Sequence, residues 1–278
     1  KKSVIVKLSM TMTSQAPRIY KKLGLFLALG CLLESGSAFQ SIGLPAVSKS
    51  STIVPTSFTK QQRPFLTQLA SSENGFPEVA RPDPSILISA KDDGTQKLAV
   101  VGIGAGILAG TVVVVNILNF LDNVLPFGFL DSALGFLVPV PLGLLFALVG
   151  FTHFSEKDAY AEIVPPKGTW GGLWQIPAPK SEDLNLSYAD YHVLWSGVAE
   201  IGGGLLFALG GIGAFPIQIA AFLMFLLVLA VTPANIYMFT HDAQLSVAPP
   251  FPYPAGHIIR AAMQSVLLAL FWHFIFVY

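Results

Sequence analysis

Five polar side chains interrupt otherwise apolar runs of this sequence: His153, Glu200, Asn235, Arg260 and Gln264. Their types suit work on a small polar head group. A carboxylate and an imidazole exchange protons, while a guanidinium and carboxamides donate hydrogen bonds to carbonyl or acidic oxygens. Arg260 and Gln264 are one turn apart, on one face of a helix. Polar groups at membrane depth are costly and point to function by default. Two readings are open. In one, the five groups bind a ligand, with Arg260 and Gln264 donating to its oxygens and Glu200 or His153 exchanging its protons. In the other they are structural, an ion pair between Glu200 and Arg260 plus amides that hold helices in register. No Ser-His-Asp, His-x-x-x-His or paired-carboxylate set lies in the apolar runs, so no catalytic residue and no metal site is assigned. Whether the chain is an enzyme stays undecided.

The elements that must carry these groups follow from composition. The 278 residues are 53% hydrophobic and only 12% charged, with a mean hydropathy of +0.64. A soluble domain carries about 25% charged residues. The composition describes an all-α integral membrane protein and argues against a soluble enzyme. Sixteen basic and sixteen acidic residues leave no net charge to neutralise phosphates, which removes nucleic acid as a partner. The single cysteine, Cys31, provides neither an intrachain disulfide nor a thiolate metal cluster.

Five spans are predicted: 98–121, 133–154, 192–215, 216–240 and 258–278. Each is long enough, at about 1.5 Å per residue, to cross a core of about 30 Å. Pro139, Pro141 and Pro233 are tolerable where neighbouring helices satisfy the freed carbonyls. Lys91 and Lys97 precede the first span, and Lys157, Lys167 and Lys180 lie between the second and third. The opposite loops hold Asp122 and Asp131 and no Lys or Arg. The positive-inside rule puts the N-terminus on the cytoplasm-equivalent side and the C-terminus across the membrane. Counted along the spans, the five polar groups then share one stratum, roughly 5–12 Å below that surface.

The first 97 residues read as an address. Arg18, Lys21 and Lys22 precede the apolar run 23–33 and the small residues Gly36-Ser37-Ala38, the pattern of a signal peptide over 1–38. Residues 39–75 are rich in Ser and Thr and carry Lys49, Lys60 and Arg63, with no acid before Glu73, a transit-peptide composition. With Phe39 at the junction, the two together resemble the bipartite plastid address of diatoms and related algae, which implies a plastid membrane, thylakoid or envelope, and a stromal N-terminus. Residues 76–97, with Pro77, Pro82 and Pro84, read as an extended linker.

The membrane residues carry a further resemblance. His153-Phe154 followed by Ile163-Val164-Pro165, the run Ser196 to Gly203 (SGVAEIGG), Pro233-Ala234-Asn235, and Arg260 with Gln264 occur in that order. From about 135 to 272 the chain resembles the DoxX-like membrane proteins. The resemblance implies a four-helix membrane bundle over 133–278. It also implies one of several roles: thiosulfate or quinone oxidation, redox-stress complexes, or assembly of other proteins. Two features depart from that pattern. The extra span 98–121 carries Gly102, Gly106 and Gly110 at four-residue spacing, a smooth ridge for helix packing. The loop 165–190 carries Trp170, Trp174 and Tyr188 among prolines, a composition for lying at the interface or docking a partner. Both point to protein partners beside the lipid.

Two look-alikes are set aside. Gly104, Gly106 and Ala109 imitate a dinucleotide fingerprint, but no strand precedes them. Arg260-Ala261-Ala262-Met263 is similar to a segment of light-harvesting proteins, but Ala255 stands where their magnesium ligand would be. His153, His192, His241, His257 or His273 could singly ligate a pigment. His241-Asp242 reads as a solvated loop pair. The expected role is a non-catalytic accessory or assembly subunit of a plastid membrane complex, with a quinone- or lipid-binding protein or oxidoreductase component as the alternative.

Overall fold

The computed structural model describes residues 80–248 and 252–278. The predicted signal and transit segments lie outside the described residues. Among these residues the fold is all-helical, and five helices are long and apolar enough to cross a membrane. They run Asp93–Val124 (α1), Phe129–Leu137 with Pro139–Ser155 (α2 and α3, one span), Tyr188–Gly211 (α5), Ile217–His241 (α6) and Ala255–Phe276 (α7). A one-turn helix, Lys157–Ala161 (α4), follows the second span.

Local chemistry sets most of these limits. Asp92 caps α1 by accepting the Thr95 N–H at 3.0 Å, so the helix begins at Asp93, inside the segment expected to be an extended linker. The preceding residues form two short 3₁₀ turns, Pro84–Ile86 and Ile88–Ala90. The second span starts at Phe129 and breaks at Val138, where Pro139 opens α3 at a position that needs no N–H donor. Ser187 caps α5 by accepting the Asp190 N–H at 3.0 Å, which starts the third span four residues before the predicted His192. It stops at Gly210-Gly211, four residues before the predicted Phe215, and Gly213 then turns at φ 75°. Pro233 is carried inside α6, and Asp242 ends that helix in a left-handed conformation at φ 51°.

α3, α5, α6 and α7 pack successively around an aromatic centre. Phe207 of α5 lies edge-on to Phe271 and Phe274 of α7, with centroids 5.2 and 5.4 Å apart, and Phe146 of α3 reaches Phe271 at 6.1 Å. Such edge-to-face pairs contribute about 0.5–1.5 kcal/mol beyond their buried area. α1 lies outside, against α7, where Ser265 donates to the Ile107 carbonyl at 3.0 Å. The loop between α4 and α5 folds back over one end of the bundle. Its turn at Gly171 sits against Asp93 of α1, so the lysines before α1 and after α3 occupy the same end.

Candidate functional site

The α3–α5 contact is built on glycine. A side chain on Gly143 would collide with the Gly204 carbonyl, and one on Gly204 with the Gly143 carbonyl. Gly150 and Gly197 form a second crossing seven residues along each helix; a Cβ on Gly150 would lie 2.8 Å from the Gly197 oxygen. Both crossings let the backbones approach as closely as small-residue membrane seams allow. They also set helix rotation, and this turns His153 of α3 onto Glu200 of α5. The ring Nε2 and the carboxyl Oε2 are 3.5 Å apart, and both side chains are buried.

His153 has only one compatible tautomer on its other side. Its Nδ1 lies 3.1 Å from the Val193 carbonyl, which only accepts, so Nδ1 donates. The Ser196 hydroxyl, itself donating to Val193, lies 3.1 Å from the same nitrogen. Nε2 thus faces the Glu200 carboxyl across 3.5 Å, within ion-pair reach if the ring is protonated but without a hydrogen bond between them. Tyr160 of α4 covers the ring at a centroid distance of 3.9 Å, and its hydroxyl lies 2.7 Å from that of Thr152. Burial raises the Tyr160 phenol pKa above its usual value.

The other three polar groups meet between α6 and α7. Arg260 donates to Asn235 Oδ1 at 2.8 Å, and Asn235 Nδ2 donates to Gln264 Oε1 at 3.0 Å. Gln264 Nε2 then donates to the Thr232 hydroxyl and to the Val228 carbonyl at 3.4 Å. Thr232 also donates to Val228 O, beside the helix interruption at Pro233. The row forms one wall of a cleft of about 340 Å³. Phe146, Val228, Val231, Met263 and Leu267 supply apolar lining, and the loop after α6 closes its rim with Gln244 and Leu245. Met263 is 60% exposed, so the cleft opens sideways toward the surface of the bundle.

The five residues predicted to form one stratum are thus divided into a pair and a row. The expected Glu200–Arg260 ion pair is replaced by Glu200 with His153 and Arg260 with Asn235. Glu200 faces across the α3–α5 seam, and Arg260 faces α6. Gln264, expected to donate to a ligand, spends both amide hydrogens on Thr232 and Val228. Sequence reading quoted Ser196 only as part of the SGVAEIGG run, not as a site residue, and missed Thr232. Ser196 lies one turn before Glu200, and Thr232 three residues before Asn235, so helical spacing could have found both.

Other placements also differ from expectation. Trp170, read as a docking residue, is 2% exposed and donates from Nε1 to Thr240 Oγ1 at 2.9 Å. Its left-handed turn, φ 58°, folds the indole inward against Tyr237 and His241. Asp242 is buried, not solvated: Arg81 donates to its carboxylate at 3.0 Å, and Gln244 at 2.9 Å. Its neighbour His241 stacks on Tyr237, with centroids 4.3 Å apart. His192 accepts from Trp195, His273 lies 3.0 Å from Asp131, and His257 packs against the stacked rings of Phe239 and Tyr253. Of the predicted ridge, a Cβ at Gly110 would meet Ser265 of α7, whereas Gly102 and Gly106 meet nothing within 4 Å.

Residues 142–275, just under half of the chain, match the family model described as Domain of unknown function (DUF8561). The matched stretch runs from α3 to α7 and leaves α1 outside. No curated protein and no solved structure matches the chain.

Proposed function

We propose that this chain is a membrane-embedded binding protein for a small amphipathic molecule of the quinone or lipid class. The observation that carries the reading is the cleft between α6 and α7, in which a cation-headed hydrogen-bonded row faces an apolar lining. Its volume, about 340 Å³, is at the low end of ligand pockets, which span about 300–1,000 Å³. Arg260 would bind the polar head, and Asn235 and Gln264 would hold the guanidinium in place. The buried His153–Glu200 pair supplies a separate proton-exchanging group. The DoxX-like resemblance favours a quinone among such ligands. Native purification in mild detergent, followed by mass spectrometry of extractable small molecules, tests the reading. A stoichiometric quinone or lipid is expected. Protein that retains none, and gains no stability when either is added, refutes it.

A second reading makes the chain an accessory or assembly subunit of a plastid membrane complex. It is favoured by α1, whose Gly102 and Gly106 are open to any neighbouring helix and whose outward face is apolar. The Ser- and Thr-rich leader supports the plastid, and the lysines gathered at one end of the bundle support a stromal N-terminus. Co-migration with a large pigmented complex is expected on this reading, and a free monomer would count against it.

A further inference from the structure

The residues before α1 form a strap that ends beside the cleft. Its two 3₁₀ turns are tied together and to α1 by local bonds. Lys91 Nζ donates to the Ser85 carbonyl at 3.1 Å, and Gln96 Nε2 to the Lys91 carbonyl at 2.8 Å. Leu87, between the turns, is buried, and Ile88–Ala90 rests on α6. The strap thereby brings Arg81 to the end of α6. There its Nη1 donates to the Asp242 carboxylate at 3.0 Å and to the Asp242 carbonyl at 3.1 Å.

Asp242 passes that hold to the cleft. Its left-handed conformation turns the chain off α6, and its second carboxylate oxygen accepts from Gln244 Nε2 at 2.9 Å. Gln244 and Leu245 form the rim of the α6–α7 cleft, whereas Arg81 is not among the lining residues. One carboxylate therefore joins the strap to the rim, with one oxygen for each. The charge-assisted bond to Arg81 is the stronger of the two. Without it the buried carboxylate would keep only Gln244 among the described residues, and an underpaired buried charge favours a turn that swings out to water. The Arg81 side chain is 63% exposed, so salt screens the joint from the strap side. We propose that Arg81 is a positioning residue that holds the turn Asp242–Leu245 over the cleft, so that the strap sets how fast an amphiphile enters and leaves. This inference rests on the amphiphile-binding reading above and adds the control of access to it.

The test uses the purified full chain in a non-ionic detergent and has two arms. The first needs no ligand: amide exchange over 242–245 is compared in wild type, Arg81→Met and Arg81→Lys. Arg81→Met is expected to exchange at least tenfold faster there, with 217–232 unchanged. Raising salt tenfold should move wild type toward that variant and leave the variant where it was. The second arm follows tryptophan quenching by a decyl-substituted benzoquinone and by doxyl-labelled stearate in stopped flow. Association and dissociation are both expected to be at least threefold faster in Arg81→Met, with their ratio changing less than twofold, and near wild type in Arg81→Lys. A loss of affinity without faster association would mean a structural defect and overturn the proposal. Unchanged exchange at 242–245 would overturn the hold on the turn, and faster exchange with unchanged binding rates would overturn the control of access. Where Arg81→Met fails to fold, the wild-type salt series decides, since exchange and both rates must rise with salt. A wild type that binds neither probe would overturn the amphiphile reading and the control of access with it, while the exchange arm still decides whether Arg81 holds the turn.

Discussion

A single methyl group on Gly150 tests the packing that creates the His153–Glu200 contact. A Cβ there would lie 2.8 Å from both the Gly197 carbonyl oxygen and the Ile201 backbone nitrogen. Neither is the flexible end of a side chain, so α3 and α5 must move apart or bend. Overpacking of this kind costs about 1–3 kcal/mol. Replacing glycine within a helix returns about 0.5–1 kcal/mol of backbone entropy and propensity. Gly150→Ala is therefore expected to lose a net ~0–2.5 kcal/mol. Gly106→Ala is the internal control. A Cβ at Gly106 meets nothing within 4 Å, so only the helix-propensity gain of about 0.5–1 kcal/mol applies. The assay is unfolding of each variant in mixed micelles of rising dodecyl sulfate fraction, followed by helical circular dichroism. Gly150→Ala should unfold at a lower fraction than wild type, and Gly106→Ala at an equal or higher one. If Gly150→Ala proves as stable as Gly106→Ala, the glycine seam does not set the α3–α5 distance.

Three further outcomes follow from the side-chain contacts. Glu200→Gln keeps a polar group facing His153 Nε2 and should unfold within about 1 kcal/mol of wild type, whereas Glu200→Leu sets an alkyl chain against that buried nitrogen and should lose about 1–3 kcal/mol. Equal stability of the two variants in the same micelle titration would mean that the polar contact between His153 and Glu200 adds nothing to the fold. Trp170→Phe keeps the ring but removes the donor to Thr240; a loss of about 1 kcal/mol is expected, with faster amide exchange at the end of α6 as its local signature. Unchanged exchange there would mean the indole does not tie the loop to the bundle. Gln264→Leu cuts the row and leaves the Asn235 amide without its acceptor, at about 1–3 kcal/mol. A variant as stable as wild type would show that the row is dispensable for the fold.

The number of spans and their approximate limits were legible in the sequence. Length and apolarity decide these, because about 20 residues at 1.5 Å each must cover a hydrocarbon core of fixed thickness. Capping chemistry was also legible: Asp92 and Ser187 precede the observed starts of α1 and α5, although hydropathy alone placed both starts several residues late. The tertiary structure decided rotation. A helix turns about 100° per residue, so residues expected at one depth can face different neighbours, and Glu200 and Arg260 face His153 and Asn235. The Gly143–Gly204 and Gly150–Gly197 crossings turn Glu200 to His153, while Asn235 and Thr232 draw Arg260 and Gln264 toward α6. Trp170 and Asp242 show the same separation in loops. Composition read the one as a docking residue and the other as solvated, but left-handed turns at φ 58° and 51° carry both side chains inward. Their partners, Thr240 and Arg81, stand 70 and 161 residues away along the chain. Local sequence sets helix limits because those depend on neighbours within a few turns; partners this distant are chosen only when the helices pack.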